Sequence, residues 1–369
     1  MKILFISHSY PPTIGGVESQ NFNLSKSLSN FTDLEVIANT KGKLFLPFFV
    51  VTATFRAFFK MGSYDACLLG SGVLAPVGAF LKFLHPKKKF FCVVHGLDVT
   101  YANRSGILPA IYRLVNISAL KKLNQLFMVG NATIKEAIGV GVDQSICTFV
   151  PNGVFKEELV AKRTRKDLEK LLGQDLDGKK VVLRLGRFVP HKGTSWFLNN
   201  VVSKLPKNCI FVAAGNRVSK NTAGDKDDFQ TCEEIIAEQK LEEKTILLPS
   251  LLWEDVKTLL NTVDLVVAPN IKVAGTMEGF GINVIEAAIC KRVVIASNLE
   301  GLTDAVSDGQ SGFLIESENV PVWVDKVNSI LKKDSGFIRD FGEKASLYVE
   351  KNNTWSKIAN QYLAEMKKY

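Results

Sequence analysis

The sequence predicts two α/β domains, each a doubly wound parallel sheet covered by helices, and three observations point there. The chain has 369 residues, too many for one ordinary core and ample for two. Short β-rich apolar runs recur in two series, with helical patterns between them. Between the series lies a charged, helix-prone stretch from Lys156 to Lys180 with little apolar periodicity, where one domain gives way to the next.

The first series comprises Ile3 to Ile6, Leu34 to Ile37, Ala66 to Leu69, Phe90 to Val94 and Leu126 to Val129. The second comprises Val181 to Leu185, Cys209 to Ala214, Thr245 to Leu248, Leu265 to Ala268 and Val293 to Ala296. Strand–helix–strand alternation with right-handed crossovers gives parallel sheets, and ligands of such sheets sit beyond the carboxyl ends of the strands. Two such domains would face a cleft holding the chemistry.

Composition narrows the class. With 46% hydrophobic and 22% charged residues and no low-complexity tract, the chain is globular rather than disordered. Its six cysteines, Cys67, Cys92, Cys147, Cys209, Cys232 and Cys290, are widely spaced without a CxxC. They read as buried free thiols of a reducing cytoplasm, with neither a metal site nor a disulfide framework. The opening run Met1 to Ser7 stops at polar residues without a cleavage signature, so it reads as a strand and not a signal peptide. Leu44 to Phe59 is strongly apolar but carries Pro47 and Arg56, and it falls short of the roughly 20 residues of a spanning helix. Residues 1–150 hold 15 Lys and Arg against 7 Asp and Glu, so nearly all of the net charge of +9 lies in the first half. That half is expected to meet an anionic surface or acceptor.

Four motifs carry chemistry. Pro11 to Glu18 contains Gly15 and Gly16 just after the first strand and before an amphipathic pattern. Paired glycines at a helix start let backbone N–H groups approach an anion, although a Gly-rich turn without a ligand fits the same residues. It is not GxGxxG, which disfavours a dehydrogenase. His95-Gly96-Leu97-Asp98 follows the strand Phe90 to Val94 directly, and the histidine there is either structural or catalytic. Arg187 and Lys192 leave the strand Val181 to Leu185 on one short glycine-flanked loop, where a forked guanidinium and a point charge suit a diphosphate. Surface ion pairing is the plainer alternative. Glu278-Gly279-Phe280-Gly281-Ile282 leads into an apolar helical run containing Glu286. Glycines ahead of a helix expose N–H groups at an anion-favouring terminus. Glu286, placed in the first turn, is suited to ribose hydroxyls, and Glu278 to sugar hydroxyls. Dipole compensation and a loop charge are the respective alternatives.

In this order the motifs closely resemble glycosyltransferase family 4, over nearly the whole chain. The matching residues are Gly15 and Gly16, the His95 to Asp98 segment, Pro151-Asn152-Gly153-Val154, the Gly186 to Gly193 loop, the pair Glu278 and Glu286, and the closing Trp355 to Tyr362 helix. Two departures are Gly130, where the family often has Ser, and Phe155, where Asp is common. The resemblance implies the GT-B fold of two Rossmann-like domains, with 1–160 binding the acceptor, 161–352 binding the nucleotide-sugar donor, and 353–369 forming a helix that returns to the first domain. It further implies retention of anomeric configuration, no divalent metal and no cofactor beyond the donor. Arg187 and Lys192 would bind the diphosphate and Gly16 would donate an N–H near it. His95 would line the reaction centre. Glu278, with Gly279, Phe280, Gly281 and Ile282, would hold the transferred sugar, and Glu286 the ribose. Glu18 and Asp98 fall on the acceptor side.

Between Lys41 and Lys60, six phenylalanines are interleaved with Lys41, Lys43, Arg56 and Lys60, and Lys87 to Lys89 follow. Such a surface suits the anionic cytoplasmic leaflet and a lipid-linked glycan acceptor in cell-envelope polysaccharide synthesis, so a cytoplasmic, peripherally bound enzyme is expected. A helix burying these rings in the core is the alternative. A nucleotide-sugar epimerase and a non-catalytic nucleotide-sugar-binding protein remain competing functions. No nucleic-acid partner is expected, because the basic residues lie in short clusters without a recognised motif.

Overall fold

The computed structural model describes residues 1–13, 15–218 and 227–369. They form two compact units, the first comprising Met1–Gly153, Gly275–Phe280 and Trp355–Tyr369 and the second Val154–Ala274 and Gly281–Thr354. Each is built on one six-stranded, wholly parallel sheet.

In the first unit the strands are β1 (Lys2–Ser7), β2 (Asp33–Ala38), β3 (Ala66–Leu69), β4 (Lys89–Val94), β5 (Gln125–Met128) and β6 (Cys147–Phe149), in the order β2-β1-β3-β4-β5-β6. Alternate residues face opposite sides. Leu4, Ile6, Cys67, Leu69, Cys92, Val94, Leu126 and Met128 share one core with residues of the helices Leu46–Lys60 and Ala75–Leu84 and of the helical segment from Ile107 to Leu120. On the other side the helix Gly16–Leu28 packs against Trp355–Met366. Phe127 meets Tyr362 edge-on there at 4.8 Å between ring centroids, and Phe91 meets Tyr369 at 5.8 Å. Gly153 makes this docking of the closing helix feasible, because a Cβ on it would lie 2.9 Å from the Trp355 Cα. The units part at Gly153, seven residues short of the break expected at 160. Val154 already donates its N–H to the Asn353 carbonyl at 2.8 Å.

The second sheet has β7 (Lys180–Leu185), β8 (Cys209–Ala214), β9 (Thr245–Leu248), β10 (Leu265–Ala268), β11 (Val293–Ser297) and β12 (Phe313–Ile315), in the order β12-β11-β10-β7-β8-β9. Phe197, Phe211 and Trp323 centre its core, with Trp323 packed edge-on against Phe197 at 5.6 Å between ring centroids. The strands β6 and β12 were absent from the sequence reading. Both are three-residue edge strands whose residues are only half-buried, so neither shows a sustained apolar run.

The apolar segment near Lys43 is also longer than its sequence suggests. Helical turns run continuously from Lys43 to Ser63, 21 residues, which is long and apolar enough by length and composition to cross a membrane. Phe49, Ala53, Ala57 and Met61, four residues apart, are nevertheless buried on the first sheet. The segment is a sheet-covering helix in this fold.

Candidate functional site

A doubly wound sheet opens a crevice where its strand order reverses. In the second unit that point lies between β7 and β10, and the loops leaving their carboxyl ends are bound together. Ile271 donates its N–H to the His191 carbonyl at 3.0 Å. Gly193, at φ +68°, brings the chain so close that a Cβ would fall 1.8 Å from the Pro269 carbonyl oxygen, a position open only to glycine. This loop carries exposed Arg187 and half-buried Lys192.

The helix Ile282–Ile289 starts beside the same strand end, with Asn283 donating its side-chain amide to the Leu185 carbonyl at 3.0 Å. Gly281 turns the chain into that helix at φ +94°, and a Cβ there would meet Leu302 at 2.6 Å. Because the helix begins only at Ile282, Glu286 stands one turn in rather than in the first turn. Burial pushes its carboxyl up to about 7, against the opposing charge of Lys192. Lys192 and Glu286, 94 positions apart in the sequence, are therefore electrostatic neighbours.

A buried arginine supports this loop. Arg184 projects from β7 with 2% of its surface exposed and donates to the carbonyls of Gly186 and Arg187, the latter at 2.8 Å. Asp228 lies close enough for its charge to be felt by Arg184, accepts from the Ser195 N–H at 3.2 Å, and donates its own N–H to the Phe188 carbonyl at 3.3 Å. Burial raises the Asp228 carboxyl above its ordinary range, opposed by these hydrogen bonds and by Arg184. The pair braces the loop on both sides of Arg187, and the sequence reading missed it. One charged residue inside the run Val-Val-Leu-Arg-Leu was the available signal.

In the first unit the reversal lies between β1 and β3, and polar side chains converge there. His8 and Ser9 follow β1, Ser71 follows β3, and His95 follows β4. His8 Nδ1 and Ser71 Oγ are 3.1 Å apart, and His95 Nε2 is 3.2 Å from the Gly70 carbonyl. Burial lowers the His8 pKa, and Asp98, His95 and Glu18 are all near enough to act on it. Glu18 accepts from the Ser9 hydroxyl, and its carboxylate lies over Gly15. Asp98 is buried, and its Oδ2 accepts from the N–H groups of His95 and Gly72, both at 2.9 Å, so it fixes the two loops. Gly16 opens the 13-residue helix Gly16–Leu28 with free space where a Cβ would be. His8, Ser9 and Ser71 were not singled out from the sequence, although His8 sits where α/β sheets carry functional loops.

Glu278 also groups with the first unit. Its segment, Gly275–Phe280, is held by Arg104, which donates to the Gly275 carbonyl at 2.6 and 2.9 Å. A Cβ on Gly96 would lie 2.5 Å from the Met277 side chain and 3.6 Å from the Gly279 Cα. Glu278 thus belongs with His95, and Phe280 beside it is buried, whereas Ile282 and Glu286 belong to the second unit. Among the described residues no three His, Cys, Asp or Glu side chains converge as metal ligands. All six cysteines are unbridged.

A hollow of about 290 Å³ lies at the opposite, amino-terminal ends of β7, β10 and β11 and is lined by Lys180, Asp264 and Arg292. These three are internally engaged: Lys180 and Arg165 pair with Asp264, and Arg292 donates to the Val263 and Cys290 carbonyls.

Residues 173–348 match the family model of the glycosyl transferases group 1. That segment is similar to the glycosyl transferases group 1. It contains Arg187, Lys192, Glu278 and Glu286. The chain is 29% identical over 187 residues to a D-inositol 3-phosphate glycosyltransferase of Mycobacterium marinum, a match that covers 49% of this chain and spans only 38% of the relative. It is 24% identical over 252 residues to the N,N'-diacetylbacillosaminyl-diphospho-undecaprenol alpha-1,3-N-acetylgalactosaminyltransferase of Campylobacter jejuni, covering 66% of this chain and 61% of that protein. Among solved structures, Anabaena Alr3699/HepE in complex with UDP-glucose superposes with a TM-score of 0.78 at 19% identity, over all of both chains. The chain therefore has the GT-B fold.

Proposed function

We propose that the chain is a hexosyltransferase that moves a sugar, with retained anomeric configuration and without a divalent metal, from a nucleotide-sugar donor to a lipid-linked glycan of cell-envelope polysaccharide or glycoconjugate synthesis. The observation that carries the reading is Lys192 beside Glu286 at the β7/β10 crevice, on a loop that only glycine could bring so close to Pro269. The group 1 relatives support a glycosyl donor, and the HepE complexes are with UDP and UDP-glucose. The Campylobacter relative, named for a diphospho-undecaprenol acceptor, supports the acceptor class.

In this mechanism Glu286 accepts hydrogen bonds from the ribose hydroxyls. Arg187 and Lys192 take the diphosphate, assisted by an N–H of Gly16. Glu278 and the Gly279–Gly281 backbone hold the sugar hydroxyls, with His95 beside the reacting carbon. Glu18 and Asp98 lie on the acceptor side. The anomeric carbon–oxygen bond breaks and its electron pair leaves on the diphosphate. The acceptor oxygen bonds to the same face of the sugar, and its proton passes to a departing phosphate oxygen. Two fixed cations neutralise the growing negative charge, the task a metal ion performs in other transferases.

The test is turnover of UDP-, GDP- and ADP-hexoses with and without a polyprenyl-diphosphate-linked saccharide, in the presence of EDTA. Nucleoside diphosphate released only with acceptor, together with a product of unchanged anomeric configuration, is the expected result. Conversion of the donor sugar into its epimer without acceptor would overturn the proposal, and abolition of transfer by EDTA would overturn the metal-free mechanism.

A further inference from the structure

We propose that the outer surface of the helices covering one face of the first sheet docks on an anionic phospholipid bilayer. The proposal concerns the outer helical face and does not rest on the transfer reaction.

Three neighbouring segments make this surface, and each is anchored inward and apolar outward. Leu46–Lys60 buries Phe49, Ala53 and Ala57 on the sheet while Phe48, Phe55 and Phe59 face solvent. Ala75–Leu84 buries Val77 and Leu81 and leaves Phe80 and Phe83 outside, the latter 81% exposed. In the helical segment from Ile107 to Leu120, Pro109 and Ile117 point inward, and Ile107, 80% exposed, and Leu114, seven residues on, point out. The middle helix packs against the helical turns on both sides, so the outward residues belong to adjoining elements. Single exposed apolar residues are ordinary, and the second unit has them in Leu252 and Leu347, but adjoining helices with unpartnered aromatic faces mark an interaction surface.

Charge identifies the partner. Across residues 41–60, 75–89 and 104–122 there are twelve Lys and Arg and not one Asp or Glu, although the whole chain carries 37 acidic residues. A second copy would present the same positive field and be repelled. Anionic headgroups are attracted, and phenylalanines enter the acyl boundary beneath them. Lys41 lies 4.7 Å over the Phe45 ring, showing the local pairing of cation and aromatic. The inward anchors exclude spanning, since withdrawing Phe49, Ala53 and Ala57 would strip the sheet of its cover.

Flotation of the full chain with vesicles of phosphatidylglycerol and phosphatidylcholine, against phosphatidylcholine alone, tests this without reading turnover. The parent should float with the anionic vesicles and bind the neutral ones at least about tenfold less. The triple variant Phe55→Ser, Phe59→Ser, Phe83→Ser, whose exposed positions leave the core intact, should lose about tenfold or more of the binding at an unchanged melting temperature. Lys43→Glu with Arg113→Glu should abolish the preference for anionic lipid. A parent that stays unfloated with anionic vesicles overturns the proposal, as does a triple variant that floats like the parent. A parent that elutes as a dimer made monomeric by the triple substitution assigns the face to a second copy and equally overturns it.

Discussion

The two units use the same sheet architecture but furnish their strand ends differently. At the β7/β10 crevice the chain is shaped by glycines at positive φ and by cations: Gly193 and Gly281 bring backbone close, Arg187 and Lys192 carry charge, and buried Arg184 ties down the carbonyls. At the β1/β3 crevice the furnishing is side chains that donate or accept hydrogen bonds, namely His8, Ser9, Glu18, Ser71 and His95. A cationic cradle suits a polyanion whose charge grows during reaction, whereas a cluster of hydrogen-bonding side chains suits hydroxyl groups.

The comparison is broken most severely at Lys192. Lys192→Ala should lower turnover by on the order of 10² to 10³ through lost stabilisation of the leaving group, with the fold intact. Steady-state rates within about threefold of the parent would remove that role. Arg184→Met comes next. It leaves two loop carbonyls and Asp228 without the buried guanidinium, so about 2–4 kcal/mol of stability should be lost in denaturant titration. The KM for the donor should also rise more than kcat falls, and Arg184→Lys should recover part of both.

Glu286 supplies the pH test. Its carboxyl is pushed up to about 7 in the fold from an ordinary 4.5, so the folded state holds a proton more tightly than the unfolded chain. This contribution to stability is fully present below about 4.5 and is lost as pH rises through about 7. If Glu286 accepts from ribose hydroxyls as proposed, binding favours its ionised form, so nucleotide affinity should instead rise, by up to about tenfold, between roughly pH 6 and 8. Calorimetry across that range checks both proton release and slope, and Glu286→Gln should flatten them. The smallest effect is expected at Gly16, where a Cβ meets nothing within 4 Å and φ imposes no strain. Gly16→Ala should change the melting free energy by no more than about 0.5 kcal/mol, so any loss of donor binding would report a ligand contact rather than the fold.

Much of this was legible in the sequence for a definite reason. Buried parallel strands such as Cys209–Ala214 are continuous apolar runs, and glycines such as Gly193 stand where close approach demands them. What escaped lacks either signature. The edge strands β6 and β12 are short and half-exposed. Arg184 and His8 each act with a partner distant in sequence, Asp228 for one and Ser71 for the other. The phenylalanines of Leu46–Lys60 fit neither expectation alone, because Phe49 faces the core while Phe48, Phe55 and Phe59 face outward. Glu278 reads as a donor-domain residue but groups with the first unit, since small Gly96 and Gly279 admit its segment beside the His95 loop.

The central claim, that the second unit's crevice is a nucleoside-diphosphate site, is tested most directly by thermal shift with UDP, GDP and ADP and their hexose conjugates, on the parent and on Glu286→Ala. A ligand that binds only the folded protein raises its melting temperature by mass action. A rise with one nucleotide that disappears in Glu286→Ala is the predicted result. A rise of equal size in the variant, or none in the parent with any nucleotide at saturating concentration, would contradict the account.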